Sequence, residues 1–266
     1  MEFTGFEKKA EEALSDCKGA VKHCALNALH HLKKAWDIKE IDPAMAVFRG
    51  ITAEEEAASS VFYTLKNQRY QNAKKIRFKE HTYKQALFPY IKSIVRFLGE
   101  LNQHNGTPIE TYHLQHTEHN KRKAMCLHLK LKQMDMVATP TPPLHFNISN
   151  PDTGKVIIFE DEFKRTNIGD TFDSVLDYVK HIADQRNNVL YANAGGRPVV
   201  KGDMSGYLSE QKKKIFTMIY LVLLVDPWID EGHSAFVQQA LDGFLLLLEQ
   251  IDENDVCPPV DRNAQG

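Results

Sequence analysis

A mainly α-helical bundle carrying a small antiparallel β insertion is the fold class this sequence predicts, on three observations. Apolar residues recur at the three-and-four spacing of one helix face through residues 18–101 and again through 168–251. Between those stretches, across residues 124–163, the period drops to two and turn residues cluster. The 266 residues are 42% hydrophobic, enough to bury a sizeable core. The pattern divides the chain into the first helices of a bundle (1–105), the β-containing insertion (106–166), the returning helices of the same bundle (167–252) and a polar, flexible tail (253–266).

Taken in order, Val21, Cys24, Ala25, Ala28, Leu29, Leu32, Ala35 and Trp36 mark a first helix over 18–36. Asp42-Pro43 starts a second, with Asp42 as N-cap and Pro43 at the first helical position. Its stripe is Val47, Phe48, Ile51, Ala58, Val61, Phe62 and Leu65, with a gap filled by Glu54 and Glu55, each about 50° from the stripe centre, while Glu56 points away. From Tyr70 to Leu101 a long helical pattern runs through Ile76, Tyr83, Leu87, Tyr90, Ile94 and Leu98, and Pro89 is expected to kink or split it. Arg77, His81 and Lys84 form a basic line beside that face, suited to a phosphate-bearing ligand if it borders a site.

Strands are expected at Met125–Lys132, Leu144–Ile148 and Val156–Phe163, the last two joined as a hairpin through Asn150-Pro-Asp-Thr-Gly154. Helix returns near Gly169. Two strongly apolar helices follow, near Leu208–Val225 and Ser234–Ile251, broken at Asp226-Pro-Trp-Ile-Asp230. The apolar run Ile215–Val225 is 11 residues long, against the roughly 20 a bilayer demands, so it reads as a buried helix and not a membrane span.

A formal charge of −2 and a pI near 6.6 exclude a broadly basic nucleic-acid coat. Three short basic runs, at Lys74–Arg77, His119–Lys123 and Lys212–Lys214, read as solvated faces. The four cysteines, 17, 24, 126 and 257, are scattered without a C-x-x-C pair, and the N-terminus has no apolar leader, which together point to a reducing cytosol. His113, His116 and His119 raise a zinc or iron site, but Glu118 is the single carboxylate nearby and the spacing is ordinary for a polar segment. No nucleotide-binding loop, nucleophile elbow or zincin motif occurs, so no cofactor and no metal are expected.

The stretch Val179–Gly196 carries the chemistry. Phe172, Val175, Leu176, Val179, Ile182, Ala183 and Leu190 form one face, and Arg186 falls near its middle. A guanidinium cannot shed its charge, so this position needs a carboxylate or a bound anion. Glu54 or Glu55 is the candidate partner.

The segment Arg186-Asn187-Asn-Val-Leu-Tyr191 resembles the Arg-polar-x(3–5)-His signature of HEPN domains (higher eukaryotes and prokaryotes nucleotide-binding). The second helix, Ala44-Met-Ala-Val-Phe-Arg-Gly-Ile-Thr-Ala-Glu54-Glu55-Glu-Ala57-Ala58, is similar to the Ala-rich, Glu-Glu helix of the abortive-infection V-type branch. Arg122 to His128 fits the same expression, but within a strand pattern. The resemblance covers residues 18–101 and 168–251. It implies a homodimeric defence or stress protein, with a possible antitoxin partner, that binds RNA or a nucleotide and cleaves RNA without metal. Arg186, Asn187 and Tyr191 would then be the catalytic residues, and Glu54, Glu55, Arg77, His81 and Lys84 the binding and supporting ones.

One departure bears on the chemistry. The histidine of the signature is Tyr191 here, and a phenol, with an unperturbed pKa of about 10, is a weaker base at neutral pH than an imidazole near about 6.5. The alternative reading is a non-catalytic helical interaction module in which Arg186 is a structural ion-pair residue.

Overall fold

The computed structural model describes residues 1–104, 109–132, 136–147, 153, 155–156, 168–191, 196, 199–200 and 202–254. Among them are seven α-helices and one three-stranded sheet, in the order α1 (Gly5–Ala13), α2 (Gly19–Ile38), α3 (Pro43–Asn67), α4 (His81–His104), β1 (Ile109–His119), β2 (Arg122–Leu131), β3 (Val137–Ala138), α5 (Ile168–Leu190), α6 (Met204–Val225) and α7 (Ala235–Asn254). The mainly α architecture with a small antiparallel insertion is as the periodicity predicts.

The helix starts follow from capping chemistry. Asp42 accepts from the Met45 amide at 3.0 Å and Pro43 sits at the first helical position, so an amide hydrogen bond that α3 could not make is not missed. Asp203 caps α6 through the Gly206 amide at 2.9 Å. Helix α1 is an addition to the expected set. Thr4 and Glu7 close a reciprocal capping box at its start, the Glu7 amide donating to Thr4 Oγ1 at 3.2 Å and the Thr4 amide to Glu7 Oε2 at 2.7 Å.

The long pattern expected from Tyr70 resolves differently. Arg69 and Asn72 take left-handed φ values of 59° and 64°, which end helical geometry there, and a 3₁₀ turn at Ala73–Lys75 leads into α4 at His81. Pro89 lies inside α4, which runs on past it to His104, so the break falls before the helix and not at the proline.

Helix α3 is the axis of the bundle, in contact with α2, α4, α5 and α6. Small residues let its neighbours close in: Ala46, Ala53, Ala57, Ala58 and Ser60 have no exposed surface. At Gly50 a Cβ would stand 3.1 Å from the Tyr207 ring of α6, so glycine sets that approach. The buried hydroxyls of Ser59, Ser60 and Thr64 donate to carbonyls of their own helix, at 2.8, 2.6 and 3.0 Å, and so enter the core with their hydrogen bonds satisfied. The apolar run of α6, Ile215–Val225, is buried against α3 as expected, with Ile215, Met218, Ile219, Val222 and Leu223 wholly so. No helix among the described residues is long and apolar enough to cross a membrane.

The sheet pairs β1-β2-β3 antiparallel. Its hairpin turns at Asn120-Lys121, both at positive φ, and aligns His119 with Arg122. That turn lies some thirty residues before the Asn150–Gly154 turn of the sequence pattern, which, like the strand expected at Val156–Phe163, falls almost wholly outside the described residues. Leu144–Asn147 is irregular rather than a strand. Strand β2 is buried on both faces. Met125 enters the main core, while Ala124 and Cys126 pack with Trp228, whose indole donates to the Met125 carbonyl at 3.1 Å. The β segment therefore shares the core of the bundle.

Candidate functional site

The gap in the α3 stripe is where polar chemistry concentrates. Glu54 and Glu55 are 2% and 6% exposed, and each is held by its own partners. Tyr178 of α5 donates to Glu54 Oε1 at 2.7 Å, and Lys214 of α6 donates to Glu54 Oε2 at 3.2 Å and to the Tyr178 oxygen at 2.5 Å. The three groups form a closed triangle in which every charge is compensated. Burial, and then the adjacent Glu54 carboxylate, push the Tyr178 phenol far above its ordinary value, which fixes it as a neutral donor. Tyr207, raised by the same burial, stands beside them and accepts from Gln211 Nε2 at 3.2 Å.

Glu55 faces α4. Its Oε2 pairs with His81 Nδ1 at 2.8 Å, and its Oε1 accepts from Gln85 Nε2 at 3.0 Å. The carboxylate is buried whereas the imidazole is half in solvent, its side chain 49% exposed.

Neither carboxylate meets Arg186, which corrects the ion pair expected from the helical wheel. Within α5, Val175, Val179, Ile182 and Val189 are buried and Leu190 is exposed, so the apolar face ends on Val189. Arg186 does lie on this face, between Ile182 and Val189, but near the helix end where the face reaches the surface. Its guanidinium rests over the Phe48 ring of α3, 5.9 Å from the centroid, half-buried and without a carboxylate partner among the described residues. The pairing fails by position along the axis: α5 runs antiparallel to α3, so Tyr178 meets Glu54 while Arg186, two turns on, meets Phe48.

Asn187 is exposed on the last turn of α5, and Tyr191, just past its end, is exposed as well. On another face of α5, an open groove is lined by His181, Asp184, Gln185, Asn188, Val189, Val199 and Val200. That groove combines amides, a carboxylate, an imidazole and apolar walls, and neither Arg186 nor Asn187 is among its lining residues.

The basic line before α4 is partly engaged. Arg77 donates through Nε and Nη2 to the Tyr83 oxygen, at 2.9 and 2.6 Å, and pairs with Asp252 of α7. Lys84 is half-buried near Cys24 and Glu56. These residues lie at or just before the start of α4, each with its own surroundings, and not at Arg186. The Lys212–Lys214 run, read as one solvated face, divides: Lys213 is exposed, Lys212 pairs with Glu7 at 3.1 Å, and Lys214 is the partly buried partner of Glu54.

The three histidines at 113, 116 and 119 lie on β1, where they disperse. His113 stacks on His128, the His116 ring meets Phe6 while its Nε2 pairs with the Phe6 carbonyl at 2.9 Å, and His119 stacks on Trp228. No group of three ligand-type side chains suited to a metal exists among the described residues.

The chain matches no protein-family model, no curated protein and no solved structure. What the molecule does must then be argued from its own geometry. Tyr178, Lys214 and Gln85 escaped the sequence reading. Their signal was faint: a tyrosine at the edge of the α5 stripe, the last lysine of a basic run, and a glutamine four residues after His81. His181, in the groove along α5, was equally unmarked.

Proposed function

We propose that this chain is an RNA- or nucleotide-binding protein that takes a phosphate at Arg186. The observation carrying this reading is the half-buried guanidinium over Phe48, which has no carboxylate partner among the described residues. An arginine so placed keeps its charge and its planar fork of donors, the geometry that suits phosphate oxygens. Asn187 adds an amide, and the exposed Tyr191 ring a surface on which a base can stack. The HEPN resemblance of this same segment supports the reading, and a guanidinium with no carboxylate partner among the described residues favours it over an interaction module locked by an Arg186–glutamate pair.

The setting that accompanies the proposal is a cytosolic defence or stress system, with the protein as a homodimer and an antitoxin as a further partner. Exposed Leu190, Tyr191 and Val199 give the rim of the site an apolar surface compatible with a second copy. Tyr191 stands in solvent as a stacking residue, so binding is the part of the family activity that this segment supports by itself.

Fluorescence anisotropy with a short single-stranded RNA tests the proposal. Arg186→Ala is expected to weaken binding by about tenfold or more, the worth of one charged hydrogen-bonded contact. It should also lower the slope of log affinity against log salt by roughly 0.7, one phosphate contact of a single strand. Equal affinity and equal slope for the two proteins would remove Arg186 from the site.

A further inference from the structure

Arg77 and Arg122 each pair with an aspartate, Asp252 and Asp226. Arg49, half-buried on α3, has a base for a partner instead: its Nη1 stands 3.3 Å from Nδ1 of His31 on α2. We propose that Arg49 and His31 form a proton-coupled oxyanion site. A phosphate or sulfate group takes over the hydrogen bond that Arg49 gives to His31, and the imidazole, gaining one proton, becomes the second donor.

Three observations carry it. First, the hydrogen bond fixes the tautomer. A guanidinium has donors alone, so His31 Nδ1 carries the lone pair and Nε2 the proton, and the ring is neutral while bonded this way. Burial, then the Arg49 charge, then His30 hold His31 below the ordinary histidine value. Arg49 keeps its charge at every pH, so the imidazole can gain a proton only against it. Second, no carboxylate relieves the pair. Arg49 makes no ion pair among the described residues, and Glu56, the acid that acts on His31, lies seven residues further along α3, about 10 Å on. The two helices run antiparallel, so His31 stands opposite Arg49 while Cys24, two turns earlier on α2, stands opposite Glu56. Third, the site is open to a ligand. Both side chains are half-buried, and Arg49 Nε and Nη2 have no partner among the described residues.

A dianion between the two groups satisfies both. Its oxygens fit the planar fork of the guanidinium, and its charge stabilises the imidazolium. The one bond formed is N–H at His31 Nδ1, its proton drawn from solvent, and the two side chains part to admit the anion. The sign of the coupling follows. His31 titrates low in the free protein and higher with the anion bound, so affinity rises as the pH falls through the higher value and levels off below the lower one. The other charges acting on His31 are His30 on α2 and Glu56 on α3, and Lys84 of α4 acts further along, at Cys24.

The test uses the full chain and sulfate, a dianion across the range of about pH 5–8 in which histidine titrates, against chloride of matched ionic strength. NMR follows the His31 ring, and calorimetry in two buffers of different ionisation enthalpy counts protons taken up. Sulfate is expected to move the His31 titration to higher pH and to bind with an affinity that rises by up to about tenfold per pH unit, the limit for one proton. Arg49→Ala should weaken binding by about tenfold or more. In that variant His31 should titrate higher than in the wild type and no longer respond to sulfate. Tighter binding of adenosine monophosphate than of inorganic phosphate would assign the site to a phosphate monoester, and equal affinities to the free ion. A His31 titration that sulfate leaves in place, or equal affinity in Arg49→Ala, would overturn the proposal. Should Arg49→Ala not fold, the wild-type titration with and without sulfate still decides. Arg186→Ala is expected to change none of these readouts, so this site stands or falls apart from RNA binding.

Discussion

Lys214 and Arg186 both reach α3 from a neighbouring helix, and the chain surrounds them differently. Lys214 comes from α6 into the interior, 15% exposed, and finds both the Glu54 carboxylate and the Tyr178 oxygen. Arg186 comes from α5 near the surface and, among the described residues, finds only the face of Phe48. Desolvating an ammonium without a counter-charge costs several kcal/mol, so the interior position is occupied together with its partner. A guanidinium at the rim keeps part of its hydration and tolerates an aromatic face alone. The difference separates two uses of charge. One completes the core, and the other meets no counter-charge among the described residues.

The comparison breaks first at Lys214. Lys214→Met would leave the Glu54 charge buried with only a phenol beside it, and should destabilise the protein by about 3–5 kcal/mol, read from the midpoint of urea unfolding. A loss below about 1 kcal/mol would mean that Glu54 reaches water and that the triangle is not the closed unit its distances indicate. The double variant Glu54→Gln with Lys214→Met sharpens the point. With both charges gone the remaining amide can still accept from Tyr178, and roughly 2 kcal/mol of the single-variant loss should return, a coupling that a double-mutant cycle measures directly.

A third expectation extends the contrast to a buried group kept neutral. Cys17 is 3% exposed, and burial, then the neighbouring Asp226, push its thiol up from 9.0 to about 12. The unfolded chain releases this proton near pH 9 and the folded chain only near about 12, so the stability linked to Cys17 is complete below pH 9 and is lost as the pH climbs between those values. Cys17→Ala should therefore flatten the alkaline fall in unfolding free energy by up to about 1.4 kcal/mol per pH unit, the value for one proton. Parallel curves for the two proteins would show that the thiol ionises in place. Because the variant's packing loss does not depend on pH, the slope isolates the titration.

How much of this was legible in the sequence follows from the same physics. Helical periodicity reports which residues face inward, and it placed α2, α3, α5, α6 and α7 within a few residues of their observed ends, together with the Asp42-Pro43 start. It also marked the polar gap at Glu54 and Glu55. It carries no information on how far one helix slides along another, so it could not decide which residue of α5 stands opposite that gap. Tyr178 does, and Arg186 is two turns further on. Strand β1 was missed because it is mostly exposed, with polar residues on both faces, and so gives no alternation to detect. Lys214 was hidden by its neighbours: within a run of three lysines, only the packing of α6 tells which one points inward.

The smallest expected effect is the one that bears most on function. Arg186→Ala removes a cation–π contact at a partly exposed position, worth about 0.5–1 kcal/mol, and leaves no carboxylate unpaired among the described residues. The unfolding midpoint should move correspondingly little, several-fold less than for Lys214→Met, while RNA affinity falls. A structural arginine behaves in the opposite way, because removing it strands a buried partner and stability falls whether or not any ligand is present. Measuring unfolding and binding on the same two variants therefore places each residue on one side of the comparison. A large stability loss for Arg186→Ala would move Arg186 to the side of Lys214 and take the phosphate site away from α5.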